Sequence, residues 1–509
     1  MFGLAETARD AAILQIQRLI DSGDFAAAGT LLTKSADQFP GDPGFDNLAG
    51  IIAAQQHSYP AAERSFRSAI KKDPRFTAAY LNLGRVYQEN ESVDPQSGQK
   101  ALQVYASVLN YDNTNAEANY QSALLLLQNR EYQLSIVRLK HLAPETQRSA
   151  QALSILCADH AALGNRKQAE DALARFTRGA DFSEADVRQM LPGLHAGKLE
   201  DLIAGALAAL QKRERLPSDL EHTLGLAYEA SGKLDNARST LEQFVSRPEN
   251  LSAGSLMELA RVAHEQKDYN GALGYLAHAR DLQPDDASIH YSFGLVCLDL
   301  ELIAEARNSF EKALKLDPDN AAYNYAMGIT STYDRDPEDA IPYFEEYLKL
   351  RPTDPQAKLA LGAALVRAKE YDAATPLLTG ALENEATAIA AHYYLGTVSL
   401  EDGHAEDAAA HFKLALKAKP DYVDALVELG HYYLQKKSYK DAEIYFHRAL
   451  QLDANHLRAN FYLLTLYTRT NDPRRESQSK RYDDLQKLRE EKSREFLRMI
   501  EVRPLVDQP

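Results

Sequence analysis

Residues 287–320 read ASIHYSFGLVCLDLELIAEARNSFEKALKLDPDN, and this stretch decides the fold because its pattern is written five times in register. A glycine recurs at Gly294, Gly328, Gly362, Gly396 and Gly430, each 34 residues after the last. Twelve residues beyond each stands an alanine: Ala306, Ala340, Ala374, Ala408 and Ala442. Four further on comes a large apolar side chain: Phe310, Phe344, Leu378, Phe412 and Phe446. Proline closes three of the five units, at Pro318, Pro352 and Pro420. A fixed period of this length marks a solenoid rather than a compact globule.

The spacing has a physical basis. Within 287–320, apolar residues recur every three or four positions in two runs, predicting two amphipathic helices at about 288–300 and about 304–316. Gly294 and Ala306 let the two backbones approach, and Phe310 fills the space left beside Ala306. Leu316-Asp317-Pro318 stops the second helix, because the residue before a proline is pushed out of the α region. One pair cannot bury both its faces, so neighbouring units must stack.

These positions resemble the tetratricopeptide repeat, in long arrays of the bacterial type. That family's helix–turn–helix unit carries small residues at positions 8 and 20, a bulky one near 24 and proline at 32. The tryptophan or other large residue at position 4 is not kept: the chain has no Trp, and His290 and His392 occupy two such places. The resemblance implies an all-α fold, a right-handed superhelix whose groove is lined by the first helix of each pair.

Run backwards, the register gives about thirteen repeats between Arg9 and His456. Repeats 1–5 fill an N-terminal sub-array, 1–183, with Gly50, Ala62, Phe66 and Pro74 in the second and Gly84 in the third. There Ala101 follows Gly84 after seventeen residues, so an enlarged Asp-Pro and Ser-Gly turn is expected at 89–98. Repeats 4 and 5 are weaker, with Ala123 and Ser135, then Cys157 and Ala169. The sixth, 184–217, keeps its length but replaces the small residues with Leu191 and Ile203. Pro192-Gly193 is expected to interrupt its first helix, since proline there costs about 3 kcal/mol. It reads as a kink or hinge, or as an ordinary degenerate repeat. A regular sub-array, 218–456, follows, then a capping half-repeat, 457–470, and a charged helix and tail, 471–509. Between Arg474 and Arg498 that helix holds nine basic and six acidic residues. It either packs on the array or protrudes to bind a partner.

Composition bounds the job. The 509-residue chain is 45% apolar and 26% charged, and no run approaches the length of a spanning helix. A net charge of −16 disfavours nucleic acid, whose phosphates call for a basic face. Two cysteines, Cys157 and Cys297, sit at core positions and read as small buried hydrophobes. The first ten residues show no basic segment leading into an apolar run, so no export signal is visible; a cytoplasmic setting is the default, and a periplasmic or extracellular one stays open for a chain whose signal was removed.

No catalytic constellation is found. Phosphate-cradling glycine loops, His-Glu-x-x-His and Cys-x-x-Cys are missing, and His264-Glu265 has no second histidine at the required spacing. Neither cofactor nor metal is expected. The resemblance places positions 2, 5, 6, 9, 12 and 13 of each first helix on the groove. Position 5 reads Tyr291, Tyr325, Leu359, Tyr393, Val427 and Phe461, with Tyr394 beside Tyr393 and Tyr462 beside Phe461. Tyrosine offers rigid contact area and a hydroxyl, which suits peptide recognition, although these rings could equally pad the wall. Arg261, His264 and Arg367 add polar handles. Phe25, Tyr59, Tyr132, Tyr269, Tyr371 and Tyr439 stand at position 17, where an aromatic packs the turn between helices. The Lys/Arg and Asn set with which chaperone-binding members hold a peptide carboxylate is missing, and so is the asparagine ladder of the glycosyltransferase-linked members, matched by Asn82 alone.

The sequence therefore describes a non-enzymatic scaffold binding a protein or peptide in its groove. The alternative is a structural protein that assembles end to end into oligomers or filaments. Ile13, Leu14 and Ile20 crowd the first helix and could supply that contact.

Overall fold

The computed structural model describes residues 2–90, 94, 96–179, 181–333 and 337–501; side chains at 2–7, 337 and 489–501 are not described. Among the described residues there are 28 α-helices, three short 3-10 helices and no strand. The helices form fourteen consecutive pairs, an all-α solenoid of the kind the period demands. They divide into two compact units, Met1–Leu251 and Ser252–Pro509, with seven pairs in each.

The ninth repeat shows how a pair is built. Its helices are Ala287–Asp299 and Ile303–Leu316. The first starts where the Asp286 carboxylate accepts from the Ser288 amide at 2.8 Å. Asn320 and Asp354 cap the first helices of the next two repeats in the same way. Each cap comes two residues after the place where Pro318 or Pro352 closes the preceding unit.

Between the paired helices one residue sits in the left-handed region. Gly23, Gly164, Gly232 and Gly403 fill that place, and so do His57, Arg130, Lys198, Lys267, Glu301, Lys369, Lys437 and Asn471, at φ between 51° and 64°. A non-glycine residue there costs roughly 1–2 kcal/mol, so the packing that follows must offset it. Two residues later the second helix begins, at Phe25, Tyr59, Tyr132, Tyr269, Tyr371 and Tyr439 in the repeats that carry an aromatic.

The glycine receives a ring. A Cβ on Gly294 would lie 2.5 Å from the Phe310 ring, and Gly328, Gly396 and Gly430 meet Phe344, Phe412 and Phe446 at 2.5–2.6 Å. Leu378 and Leu241 take the same seat over Gly362 and Gly225. All these side chains are buried, as are Ala306, Ala340, Ala374, Ala408 and Ala442. The second helix thus inserts its largest side chain where the first helix has none. In the third repeat Tyr105 does this over Gly84. The enlarged turn expected at 89–98 joins helices that end at Glu89 and begin at Ser97; its residues 91–93 and 95 lie outside the described residues.

In the first unit, the degenerate repeat departs from expectation. Its first helix, Glu184–Ala196, is continuous through Pro192 instead of being interrupted there. A Ser183 capping box fixes its start. Gly193 and Gly197 face the backbone of the preceding repeat's first helix, Ala150–Ala162: Cβ atoms there would lie 2.4 Å from the carbonyl oxygens of Ala158 and Ala161. Around this close crossing Met190, Leu191, Leu194, Ile203 and Leu207 join a buried cluster that extends from Ala123 to Ala227. The repeat lies inside the first unit, not at its boundary.

In the second unit, the tenth repeat starts its second helix as a 3-10 turn, Pro337–Ala340, before Ile341–Leu350. The terminal helix, Arg475–Glu501, packs on Leu457–Arg469 over its first turns. There Gln478 Nε2 donates to Asn460 Oδ1 at 2.9 Å, and the Arg474 guanidinium lies 4.3 Å over the Tyr467 ring.

Candidate protein-interaction face

The first helices of the second unit form one face, since successive first helices touch (Ala321–Ser331 with Ala287–Asp299, Leu457–Arg469 with Val423–Gln435). Its inward positions change character along the chain. From Ser288 to Thr397, positions 2, 5, 6 and 9 hold Tyr291, Leu295, Tyr325, Ile329, Leu359, Tyr393 and Tyr394 among small or uncharged residues, with no acid or base.

The tyrosines named from the sequence are half-buried. Tyr291 packs on Phe310 and Tyr323 at 5.8 and 4.9 Å between ring centres. Tyr325 packs on Phe344 and Tyr347, and Tyr393 on Phe412 and Tyr422. Each ring therefore braces the Phe that seats over its own repeat's glycine and leaves one edge on the face. Tyr325 Oη accepts from Gln356 Nε2 at 3.0 Å, tying two repeats. Burial raises the pKa of the Tyr291, Tyr393 and Tyr394 phenols, and Glu428 and Asp424 add to the rise at Tyr393.

The polar handles are used between repeats. His264 Nε2 meets Asp299 Oδ2 at 2.6 Å, and Arg367 donates to the Thr332 carbonyl at 2.9 Å. Arg261 is exposed on the same helix as His264. Phe461 stays 45% exposed, with one side against Tyr462 and another against Tyr482.

At the C-terminal end of this face stands a polar cluster of which the sequence reading named Tyr462 alone. Glu428, 4% exposed, pairs with Arg458 of the next first helix. Burial raises the Glu428 pKa despite that guanidinium. His431 stacks on Tyr462 at 4.2 Å with rings 7° from parallel. Its pKa is lowered by burial and then by Arg458. Asp424 Oδ1 accepts from His456 Nε2 at 3.3 Å, and that contact holds its pKa below the usual range. The signal was present: Asp424, Glu428 and His431 are positions 2, 6 and 9 of their repeat, and Arg458 and Tyr462 are 2 and 6 of the next.

At the other end of the chain, the apolar stripe of the first helix, Phe2–Asp21, is largely used internally. Ile16 and Ile20 are buried with Ala28, Phe45 and Leu48, and Ile13 packs beside them. Of the three residues named for end-to-end contact, Leu14 alone is exposed, at 54%. Ile20, 8% exposed, is not on an open surface, because a helical stripe at 13, 16 and 20 turns towards the following helices.

Models of the tetratricopeptide repeat match residues 47–94, 222–287 and 393–456, residues 333–395 and residues 287–320. Together they span more than half the chain, which belongs to the tetratricopeptide repeat family. No curated protein matches it. Among solved structures it is similar to the APC/C hetero-tetramer Cut9–Hcn1, at 14% identity over 90% of this chain and 96% of that one, with a TM-score of 0.40. It is similar also to yeast Tom70, at 15% identity over 92% and 97%, TM-score 0.36. For a MamA protein the figures are 26% identity over 33% and 92%, TM-score 0.29. Proteins of this family are in general scaffolds for protein–protein interaction and not enzymes. No helix among the described residues is long and apolar enough to cross a membrane.

Proposed function

We propose that this chain is a non-enzymatic scaffold that holds a segment of a protein partner along the first-helix face of its second unit. The observation that carries this is the strip at positions 2, 5, 6 and 9 from Ser288 to Thr397, uncharged between the position-13 charges of Asp299 and Arg367, where half-buried tyrosines alternate with aliphatic residues such as Leu295, Ile329 and Leu359. A solvated helix face ordinarily carries charge, and an uncharged, partly apolar one set between polar ends suits a partner's side chains. The tyrosines add rigid area at little entropic cost, because their packing on Phe310, Phe344 and Phe412 already fixes them. Leu295, 37% exposed, can be changed without opening the core. Leu295→Asp combined with Ala363→Asp should cut recovery of a purified partner at least tenfold while the helical circular dichroism stays unchanged, since charges desolvated against apolar groups cost more than about 1.4 kcal/mol. Undiminished binding by that double variant would exclude this face.

A further inference from the structure

We propose that the C-terminal end of this face is a receptor for one basic side chain, lysine or arginine, of the bound segment, centred on Asp424 and Glu428. The inference rests on the binding face proposed above and names the chemistry of its occupant. The two acids stand four residues apart, one turn, on the helix Val423–Gln435, and so share a face. Opposite them the next first helix places Arg458, which takes one oxygen of Glu428; Arg469, three turns on, acts on His431. The other oxygen, Oε2, is buried and accepts no hydrogen bond. His431 Nδ1, three residues on in the same helix, lies 4.0 Å from it and likewise has no hydrogen bond. His431 Nε2 is in contact with the Gln435 amide at 3.2 Å, and burial disfavours its protonation. Asp424 has the His456 imidazole on Oδ1 and Glu428 has Arg458 on Oε1, so Oε2 of Glu428 is a desolvated acceptor left without a donor, which is the arrangement a further cation completes.

The surroundings fit such a side chain's stem as well as its charge. Asp424 is about half exposed, so the site is open. Its charge adds to the rise that burial gives the pKa of the Tyr393, Tyr394 and Tyr422 phenols. Tyr393 lies 5.3 Å from Tyr394 and from Tyr422, forming an aromatic wall for methylenes and for cation–π contact. An acidic side chain would instead meet the excess negative charge. The apolar strip would take the neighbouring residues of the segment, so the partner sequence is basic at one end and apolar beyond it.

The test is selection of a displayed library of random 12-residue peptides on the full chain, followed by fluorescence anisotropy of the enriched peptides. Enriched pools should carry Lys or Arg at one end, and exchanging that residue for norleucine should weaken binding about tenfold to a hundredfold, the worth of a charge-assisted contact. Asp424→Asn and Glu428→Gln should each erase most of that difference while the norleucine peptide binds as before. Asp424→Asn, at the exposed acid, serves even if Glu428→Gln disturbs folding. Enriched peptides with no basic preference, with an acidic one, or with a preference that survives in both variants would overturn the basic-residue assignment and leave the face intact. A selection that enriches nothing would overturn both.

Discussion

The sixth and ninth repeats solve one packing problem in opposite ways. In the ninth, the gap on the first helix is filled by a side chain, the Phe310 ring seated over Gly294. In the sixth, Leu191 and Ile203 occupy the usual small positions, and the gaps at Gly193 and Gly197 are filled by backbone, the carbonyls of Ala158 and Ala161. A ring can tilt to accept an extra atom; a helix backbone cannot without moving the whole helix. The regular repeats are therefore tolerant joints, and the degenerate one is a rigid splice between two first helices.

The largest effect is expected from emptying the ring's seat. Phe310→Ala should cost about 3–5 kcal/mol in urea unfolding, with hydrogen exchange rising in the neighbouring repeats and not along the whole chain. The glycine variants test the contrast itself. Gly193→Ala should fall near the top of the roughly 1–3 kcal/mol range for overpacking, and Gly294→Ala near the bottom. Equal costs would dissolve the distinction between the two joints.

The pH response should also differ between regions. Asp159 is buried without a hydrogen-bond partner for either oxygen, while Ser135 nearby donates to the Ala123 carbonyl. Burial pushes its pKa up to about 8. Folded protein then keeps a proton that the unfolded chain releases near pH ~4, so this group lowers stability as pH rises from about 4 to about 8. Asp159→Asn should flatten that slope in the first unit. In the second unit His392 and His411 meet Nδ1 to Nδ1 at 3.1 Å. Burial lowers both pKa values, and the facing ring lowers that of His392 further. The unfolded chain takes these protons first, so this contribution is present at neutral pH and lost as pH falls below about 6.5. Hydrogen exchange resolved by unit across pH 5–8 should show the two opposed trends.

The smallest effect concerns the turns. Gly403, at φ 81°, should lose about 1 kcal/mol on change to Ala. Lys437→Gly, at the equivalent place, should change stability little, because relief of φ 60° is offset by greater freedom of the unfolded chain.

Much of this was legible in one dimension. The period gave the helix pairs, and the position-17 aromatics marked where second helices start, because both depend on contacts within a single repeat. What escaped reading depends on contacts between repeats. Position 5 reads as groove surface, yet Tyr291, Tyr325 and Tyr393 also lean on the Phe at position 24. Glu428 and Arg458 are thirty residues apart and look like ordinary surface charges until two first helices are laid side by side. Pro192 suggested a break, since proline removes one helical hydrogen bond. Its helix persists beside a dense cluster that its own sequence does not reveal. Ile20 looked like an open end because nothing in the first helix alone says which side the second will cover.

The central claim is that partners are held on the first-helix face of the second unit. A photo-crosslinking amino acid placed singly at Leu295 and Ala363 on that face, and at Leu414 and Ile444 among exposed second-helix positions, tests it most directly. Crosslinks to a purified partner, mapped by mass spectrometry, should form from Leu295 and Ala363 and not from the other two. Crosslinks confined to Leu414 and Ile444 would contradict the account.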